Sequence, residues 1–384
     1  MDRFIDTTPF FTPDQRTLAA QVAAFAAREI ESRAGDEEES VDEHFRTYLG
    51  LLVEGEFLPY AVAIPGQSLD LRSLCLIREA LAYSSSLADL AFVMQGLGTY
   101  PISLAANEHV RDFWLERAAR GKSIAAFALT EAEAGSDVSG IKTTARREGD
   151  AYVIDGAKRF ISNAGLADFY TVFAKTGARA DGRVALSAFV VSARMPGFSV
   201  RERTQMMAAH PIGELEFSGC RVPAEDMIGA EGDGLRLALQ TLDTFRASVG
   251  AAACGMARRA LDESLSYAKT RQQFGRPLAS HQLIQEKLAD MATELDAARL
   301  LVYRAAFLKD TNAADRSTRE ASEAKLFATE AAGRIIDSAV QIQGGAGLVR
   351  GAVVERLYRD VRALRIYEGT SEIQKLVIAS QLLK

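Results

Sequence analysis

The sequence predicts an α+β chain of three successive units: helical, then β, then helical again. Two observations carry this. Before about residue 124 and after about 234, apolar residues recur at three- and four-residue spacing. Between them, short β-branched and aromatic runs alternate with Gly, Asp and Asn turns. The units read as 1–124, an N-terminal helical domain, 125–234, a middle β domain, and 235–384, a C-terminal helical bundle. With 384 residues, 48% of them hydrophobic, the chain can fill two or three packed units.

In the first unit, "TPDQRTLAAQVAAFAAREIESRA" opens with Thr12 as N-cap and Pro13 at the first helical position. Leu18, Val22, Phe25 and Ala26 form its apolar stripe. Further helices are expected over 41–53, 69–83 and 87–105. The acidic run "GDEEES" (35–40) reads as a solvated helix edge or loop.

In the second unit, "DAYVIDG", "DFYTVFAKTG", "VALSAFVVS" and "GELEFSG" read as strands, with "EGDAYVIDG" turning at Gly-Asp. A small barrel or sandwich is expected. After "GAEGDG" (229–234), helices are expected over 235–270, 280–309, 316–342, 350–364 and 371–383. Their short connections make a bundle.

Composition excludes several classes. The net charge of −6 gives no reason to expect nucleic acid or an anionic membrane. Three scattered cysteines, Cys75, Cys220 and Cys254, show no disulfide framework or C-x-x-C pair, and four isolated histidines show no H-E-x-x-H. No metal is expected. No apolar run of about 18 residues appears, so no membrane span is expected. "MDRFIDTTPFFTPDQ" resembles neither a secretory signal nor a transit peptide. A reducing, cytoplasmic location fits.

Five stretches carry chemistry. "FALTEAEAGSDVSGIKTTA" (127–145) runs from a strand into a small-residue loop holding Thr130, Ser136 and Asp137, and its Gly135 allows close approach of a ligand. "RFISNAG" (159–165) sets an aromatic and a Ser-Asn pair beside a glycine. "RQQFGRPL" (271–278) reads as a helix end, where Arg271 complements the dipole. "QIQGGAGLVRG" (341–351) has neither a dinucleotide fingerprint nor a P-loop, yet brings backbone amides close to something flat or anionic. "RIYEGTSEIQ" (365–374) places Glu368 between a tyrosine and a glycine where two helices break. Ser371 and Gln374 fit a capping box there.

These five motifs, in this order and spacing across roughly 12–384, closely resemble the acyl-CoA dehydrogenase family of FAD-dependent flavoproteins. The resemblance implies that family's fold, with FAD between the β domain and the C-terminal helices of a homotetramer. Phe127, Leu129, Thr130, Phe160 and Ser162 would line the isoalloxazine. Ser136 would touch the cofactor or the thioester. Arg271, Phe274, Gln341, Gly344 and Gly345 would reach a neighbour's FAD, and Thr370 and Glu372 the subunit's own. Arg246 matches the arginine behind the catalytic carboxylate, with Asp243 near the pantetheine path and Tyr367 and Gly369 on the substrate side.

The implied reaction is α,β-desaturation of an acyl-CoA or acyl-carrier thioester. Glu368 takes the α-proton, the β-hydride goes to flavin N5, and an electron-transfer flavoprotein or similar acceptor takes the electrons. A thioester α-proton is weakly acidic, so the reaction needs donors on the carbonyl and a base in contact. A carboxylate in a desolvated slot has a raised pKa, which makes it the stronger base. Related branches place the base beside Arg246, where this chain has Phe245. Three other classes share the scaffold: an oxygen-using acyl-CoA oxidase or flavin hydroxylase, a dehydrogenase of carrier-protein thioesters, and a non-catalytic thioester binder. The intact Glu368 and Arg246 oppose the last.

Three departures concern the substrate. Glu133 replaces a glycine near the mouth, "AVAIPGQSLDL" (61–71) replaces a Y-G-G segment, and "QMMAAHPIGELEF" lacks a glycine and is about one residue short. The stretch 79–101 contains no Arg or Lys and carries Asp89; a buried tail carboxylate without a cationic partner is costly, so an anionic acyl tail is disfavoured. Leu90, Val93, Met94 and Leu97 suit an uncharged tail.

Overall fold

The computed structural model describes residues 2–64, 68–178, 182, 184–311 and 317–384. The first helices are α1 (Arg3–Thr7), α2 (Pro13–Phe25), α3 (Val41–Glu54), α4 (Leu71–Ser84), α5 (Ser86–Ala105) and α6 (Glu108–Ala119). Thr12 caps α2 as expected: Thr12 Oγ1 accepts from the Gln15 N–H, and Gln15 Oε1 accepts from the Thr12 N–H. Of the replaced segment 61–71, residues 65–67 lie outside the described residues, as does residue 316 at the expected start of a later helix.

The reading of 35–40 as a solvated edge is corrected at Glu37, which is 2% exposed. Its carboxylate accepts from the Tyr48 hydroxyl of α3 at 2.7 Å and from Ser85, the N-cap of α5. Two hydroxyls distant in sequence replace the water that the acidic composition suggested. Burial still pushes the Glu37 carboxyl up to about 7. Its neighbour Glu38 lies on the surface with Arg350 and Arg359.

The middle unit holds β1 (Ala125–Ala128), β2 (Thr144–Glu148), β3 (Ala151–Ser162), β4 (Phe169–Ala178), β5 (Val184–Ser192), β6 (Phe198–Arg203), β7 (Ile212–Pro223) and β8 (Met227–Ile228). All belong to one sheet, ordered β6-β7-β3-β2-β4-β5-β8, with β1 added in parallel beside β4. The Gly-Asp turn joins β2 to β3, and Gly149 takes the left-handed φ of 65° that it needs.

The last unit comprises α7 (Gly234–Thr270), a small hairpin of β9 (Gln272–Gln273) and β10 (Arg276–Pro277), α8 (Gln282–Thr311), α9 (Thr318–Gln343), α10 (Val353–Leu364) and α11 (Ser371–Leu382). Small residues let α7 run through the middle of the molecule. A Cβ on Gly255 would stand 2.1 Å from the Glu79 carbonyl of α4, so only glycine permits this packing. One continuous core joins Leu74, Phe92, Val249, Val302 and Ile336 of the helices to Tyr152, Tyr170 and Leu215 of the sheet. Each fully buried large apolar side chain contributes about 1.5–3 kcal/mol. Cys75, Cys220 and Cys254 are buried free thiols. Among the described residues no helix is long and apolar enough to cross a membrane.

Candidate active site

The break between α10 and α11 is held from both sides. Thr370, not Ser371, caps α11, its Oγ1 accepting from the Ile373 N–H. Thr and Ser both cap well, and the chain uses the first of the two. Gln374 forms no capping box either. Its Nε2 donates back to the carbonyls of Glu368, at 3.2 Å, and Gly369, at 2.9 Å. Ser371 instead donates to Glu330 at 2.6 Å. Lys325 of α9 donates to the Gly369 carbonyl at 2.7 Å. Gly369 has φ 91°, and a Cβ there would meet Gln374 Nε2 at 2.6 Å. The backbone conformation favours glycine, and a side chain there would push Gln374 off its carbonyls.

Glu368 itself has φ 53°, a conformation uncommon outside glycine. Its Oε2 is buried and has no hydrogen-bond partner. Burial raises the carboxyl pKa, while Arg78, Lys325 and Arg246 pull it back and Asp89 adds to the rise. Burial also lowers the Lys325 ammonium to about 8, opposed by the Glu368 charge. The Tyr367 hydroxyl is raised by burial and held back by Arg78.

Arg78 was not legible as a site residue. It is 1% exposed, donates to Asp89 through Nε at 2.8 Å and Nη2 at 2.7 Å, and to Ser248 at 2.8 Å. Asp89 is therefore paired, although the stretch 79–101 holds no cation of its own. The partner lies one residue before the stretch 79–101, and the α4–α5 packing brings the two side chains together.

On α7, Arg246 is ion-paired with Asp243, which also accepts from Thr318 at 2.9 Å. A cleft of about 450 Å³ opens over this pair, lined also by Leu239, Thr318, Arg319 and Val377. Between them Phe245 is buried against Tyr100, ring to ring at 5.6 Å, and offers no base.

A second group assembles on the sheet. Phe127 lies on β1, with Leu129 and Thr130 following it, while Phe160 and Ser162 lie near the end of β3. The Arg159 N–H donates to the Thr130 carbonyl, and Asn163 Nδ2 to the Ala125 carbonyl, both at 2.9 Å. An aromatic edge, main-chain groups and two hydroxyls therefore sit side by side, a donor set suited to a flat, uncharged heteroaromatic ring with polar edges. Ser136 is exposed in the following turn. That turn is organised by Glu131, which sequence reasoning passed over. Its carboxylate accepts from the Lys142 and Thr143 N–H groups and from buried Lys158 at 2.8 Å. Glu133 points outward and pairs with Lys142.

The third group stays on the surface. Arg271 follows α7, Phe274 is 92% exposed, and Gln341, Gly344 and Gly345 stand exposed around the end of α9. Among the described residues they make no hydrogen bond to the other two groups. Glu372 is likewise exposed in the first turn of α11.

The three units match the acyl-CoA dehydrogenase N-terminal domain over residues 12–122, the middle domain over 126–220 and the C-terminal domain over 232–383. The chain belongs to the acyl-CoA dehydrogenase family. It is 39% identical to a 3-(aryl)acrylate reductase of Clostridium sporogenes, covering 98% of this chain and 100% of that one. It is 36% identical to the CarC subunit of a caffeyl-CoA reductase–Etf complex of Acetobacterium woodii, covering 98% and 100%. The fold superposes on butyryl-CoA dehydrogenase of Megasphaera elsdenii with TM-score 0.89 and 34% identity, over 97% and 99% of the chains. An acyl-CoA dehydrogenase of Bacillus anthracis complexed with FAD gives TM-score 0.89 and 33% identity, over 100% of this chain and 71% of that one. Family membership makes the chain an oxidoreductase of the acyl-CoA dehydrogenase type.

Proposed function

We propose that this acyl-CoA dehydrogenase desaturates an uncharged acyl-CoA thioester between its α and β carbons, with Glu368 as the base. The observation that carries this reading is the buried, unpartnered Oε2 of Glu368, facing the charges of Arg78, Lys325 and Arg246. A buried carboxylate oxygen left without a hydrogen bond is costly to keep in a core, and a substrate α-proton gives it a purpose. The Glu368 N–H is the proposed donor to the thioester carbonyl. Asp243 and Arg246 take the pantetheine side beneath their cleft, with Tyr367 and Gly369 beside the acyl group.

FAD, when bound, supplies the hydride acceptor. Phe127, Leu129, Thr130, Phe160 and Ser162 hold its ring, and Ser136 touches its edge or the thioester. Thr370 and Glu372 serve the same subunit's cofactor. Arg271, Phe274, Gln341, Gly344 and Gly345 serve a neighbour's in a homotetramer, which accounts for a phenyl ring left 92% exposed on one chain. An electron-transfer flavoprotein is the proposed acceptor, supported by the relative that is a subunit of a caffeyl-CoA reductase–Etf complex.

The two reductases among the relatives favour a second reading, in which the chain works in the saturating direction and protonated Glu368 returns the α-proton. The same residues serve both. Anaerobic titration of the purified protein with butyryl-, hexanoyl- and cyclohexanecarboxyl-CoA, following flavin bleaching, tests the proposal. A flavin that no acyl-CoA bleaches, but whose reduced form an enoyl-CoA reoxidises, selects the second reading. No response to either refutes both.

A further inference from the structure

His210 stands in the short segment between β6 and β7 where the chain departs from the family's pattern. Its Nε2 lies 2.8 Å from the hydroxyl oxygen of Ser162. The contact is built into the sheet. Ser162 pairs in register with Ile212, and the Asn163 N–H donates to the Pro211 carbonyl at 2.7 Å. The Thr204 N–H closes the segment onto the Ile212 carbonyl at 2.9 Å, and Arg359 of α10 holds the Met207 carbonyl at 3.0 Å. The imidazole is therefore fixed against one hydroxyl from both ends of its segment.

Burial lowers the His210 pKa to about 4, so the ring is neutral near pH 7 and carries one N–H. A serine hydroxyl has one proton to donate and two lone pairs to accept with. Which partner receives the Ser162 proton depends on the role that His210 takes.

We infer that His210 is a positioning residue: its Nε2–H donates to Ser162 and leaves the Ser162 proton for the isoalloxazine. This rests on the FAD placement proposed above. A hydrogen bond donated to the ring favours its electron-richer, reduced form, so His210 acts on the cofactor's potential without touching it.

The test uses the FAD-loaded protein and reads the reduction potential by anaerobic dye equilibration, with the visible spectrum of the bound flavin beside it. His210→Phe is expected to shift the balance about tenfold toward oxidised flavin, which is about 30 mV for a two-electron couple. His210→Gln, which can still donate, is expected to recover most of the shift. Ser162→Ala is expected to shift it similarly, and adding His210→Phe to Ser162→Ala should change nothing more. His210→Asn, polar but too short to reach, serves where His210→Phe does not fold. An unmoved potential, or a His210 effect that persists without the Ser162 hydroxyl, overturns the inference. FAD content is measured first: a wild-type protein that cannot hold FAD refutes the functional reading itself, whereas bound FAD with an indifferent potential refutes only the role of His210.

Discussion

Arg78 and Asp89 form a buried bidentate ion pair, at 2.8 and 2.7 Å, whose charges both act on Glu368. Arg78 lowers the carboxyl pKa and Asp89 raises it, so the pair tunes this carboxyl from outside its loop. Asp89→Asn leaves the Arg78 charge unopposed. The Glu368 pKa should then fall, and the acid limb of the pH profile for flavin reduction should move to lower pH. An acid limb that stays put or moves up refutes the coupling. Arg78→Met strands the Asp89 carboxylate instead, and is expected to cost about 3–5 kcal/mol of stability in denaturant unfolding.

Glu368→Gln should keep the fold and the flavin, because the loop is held through its backbone by Gln374 and Lys325. Loss of the base should slow flavin reduction by acyl-CoA about 10²–10⁴-fold. Solvent exchange of the substrate α-proton checks the assignment: exchange retained at the wild-type rate would point to another base.

Arg271→Ala should lower FAD occupancy and loosen the oligomer together, read as flavin absorbance per chain and as mass in solution. If Arg271 only complements the dipole of α7, both stay unchanged and a few tenths of a kcal/mol of stability is lost.

Glu37 gives a pH dependence of stability. Its native carboxyl titrates near 7 and its reference value is 4.5, so between these the native state holds a proton that the unfolded chain has released. Stability from this group is full below about 4.5 and is lost as pH rises toward 7, at up to about 1.4 kcal/mol per pH unit. Buried Asp360, raised to about 6 against a reference of 3.8, adds in the same direction. Glu37→Gln should flatten the decline in thermal midpoint between pH 5 and 7.5. A variant that declines as steeply as the wild type places the titration elsewhere.

Butyryl-, hexanoyl- and cyclohexanecarboxyl-CoA should bleach the flavin faster than glutaryl-CoA, without release of CO2. The cation that packs against the stretch 79–101, Arg78, is neutralised by Asp89 and hydrogen-bonded to Ser248. Preference for glutaryl-CoA, or labelled CO2 from it, would show a distal carboxylate held by another positive group.

The break that carries Glu368 was legible from the two apolar-striped helices flanking it, whereas its proposed role as base rests on the family resemblance of the five motifs. Thr12 and Pro13 were legible because capping is local. Arg78 was not, since on α4 it interrupts an apolar helix and its partners Asp89 and Ser248 lie on two other helices. Glu37 failed for the same reason in reverse: its run is acidic, and the hydroxyls that receive it come from elsewhere. Adjacent Thr370 and Ser371 have nearly equal capping preference, so sequence alone could not rank them.

The grip on the Glu368 loop ends at its backbone: Gln374 and Lys325 hold the carbonyls, and among the described residues no group hydrogen-bonds Oε2 of Glu368. Anchor and reactive group are thus separate parts. Position 368 is then an exchangeable socket for redesign. Gly, Asn or Asp suits its left-handed backbone better than Glu does, and each would leave room where the charges of Arg78, Lys325 and Arg246 act. A small exogenous carboxylate such as formate could fill that room and restore turnover to a Glu368→Gly protein, turning a built-in base into a supplied one.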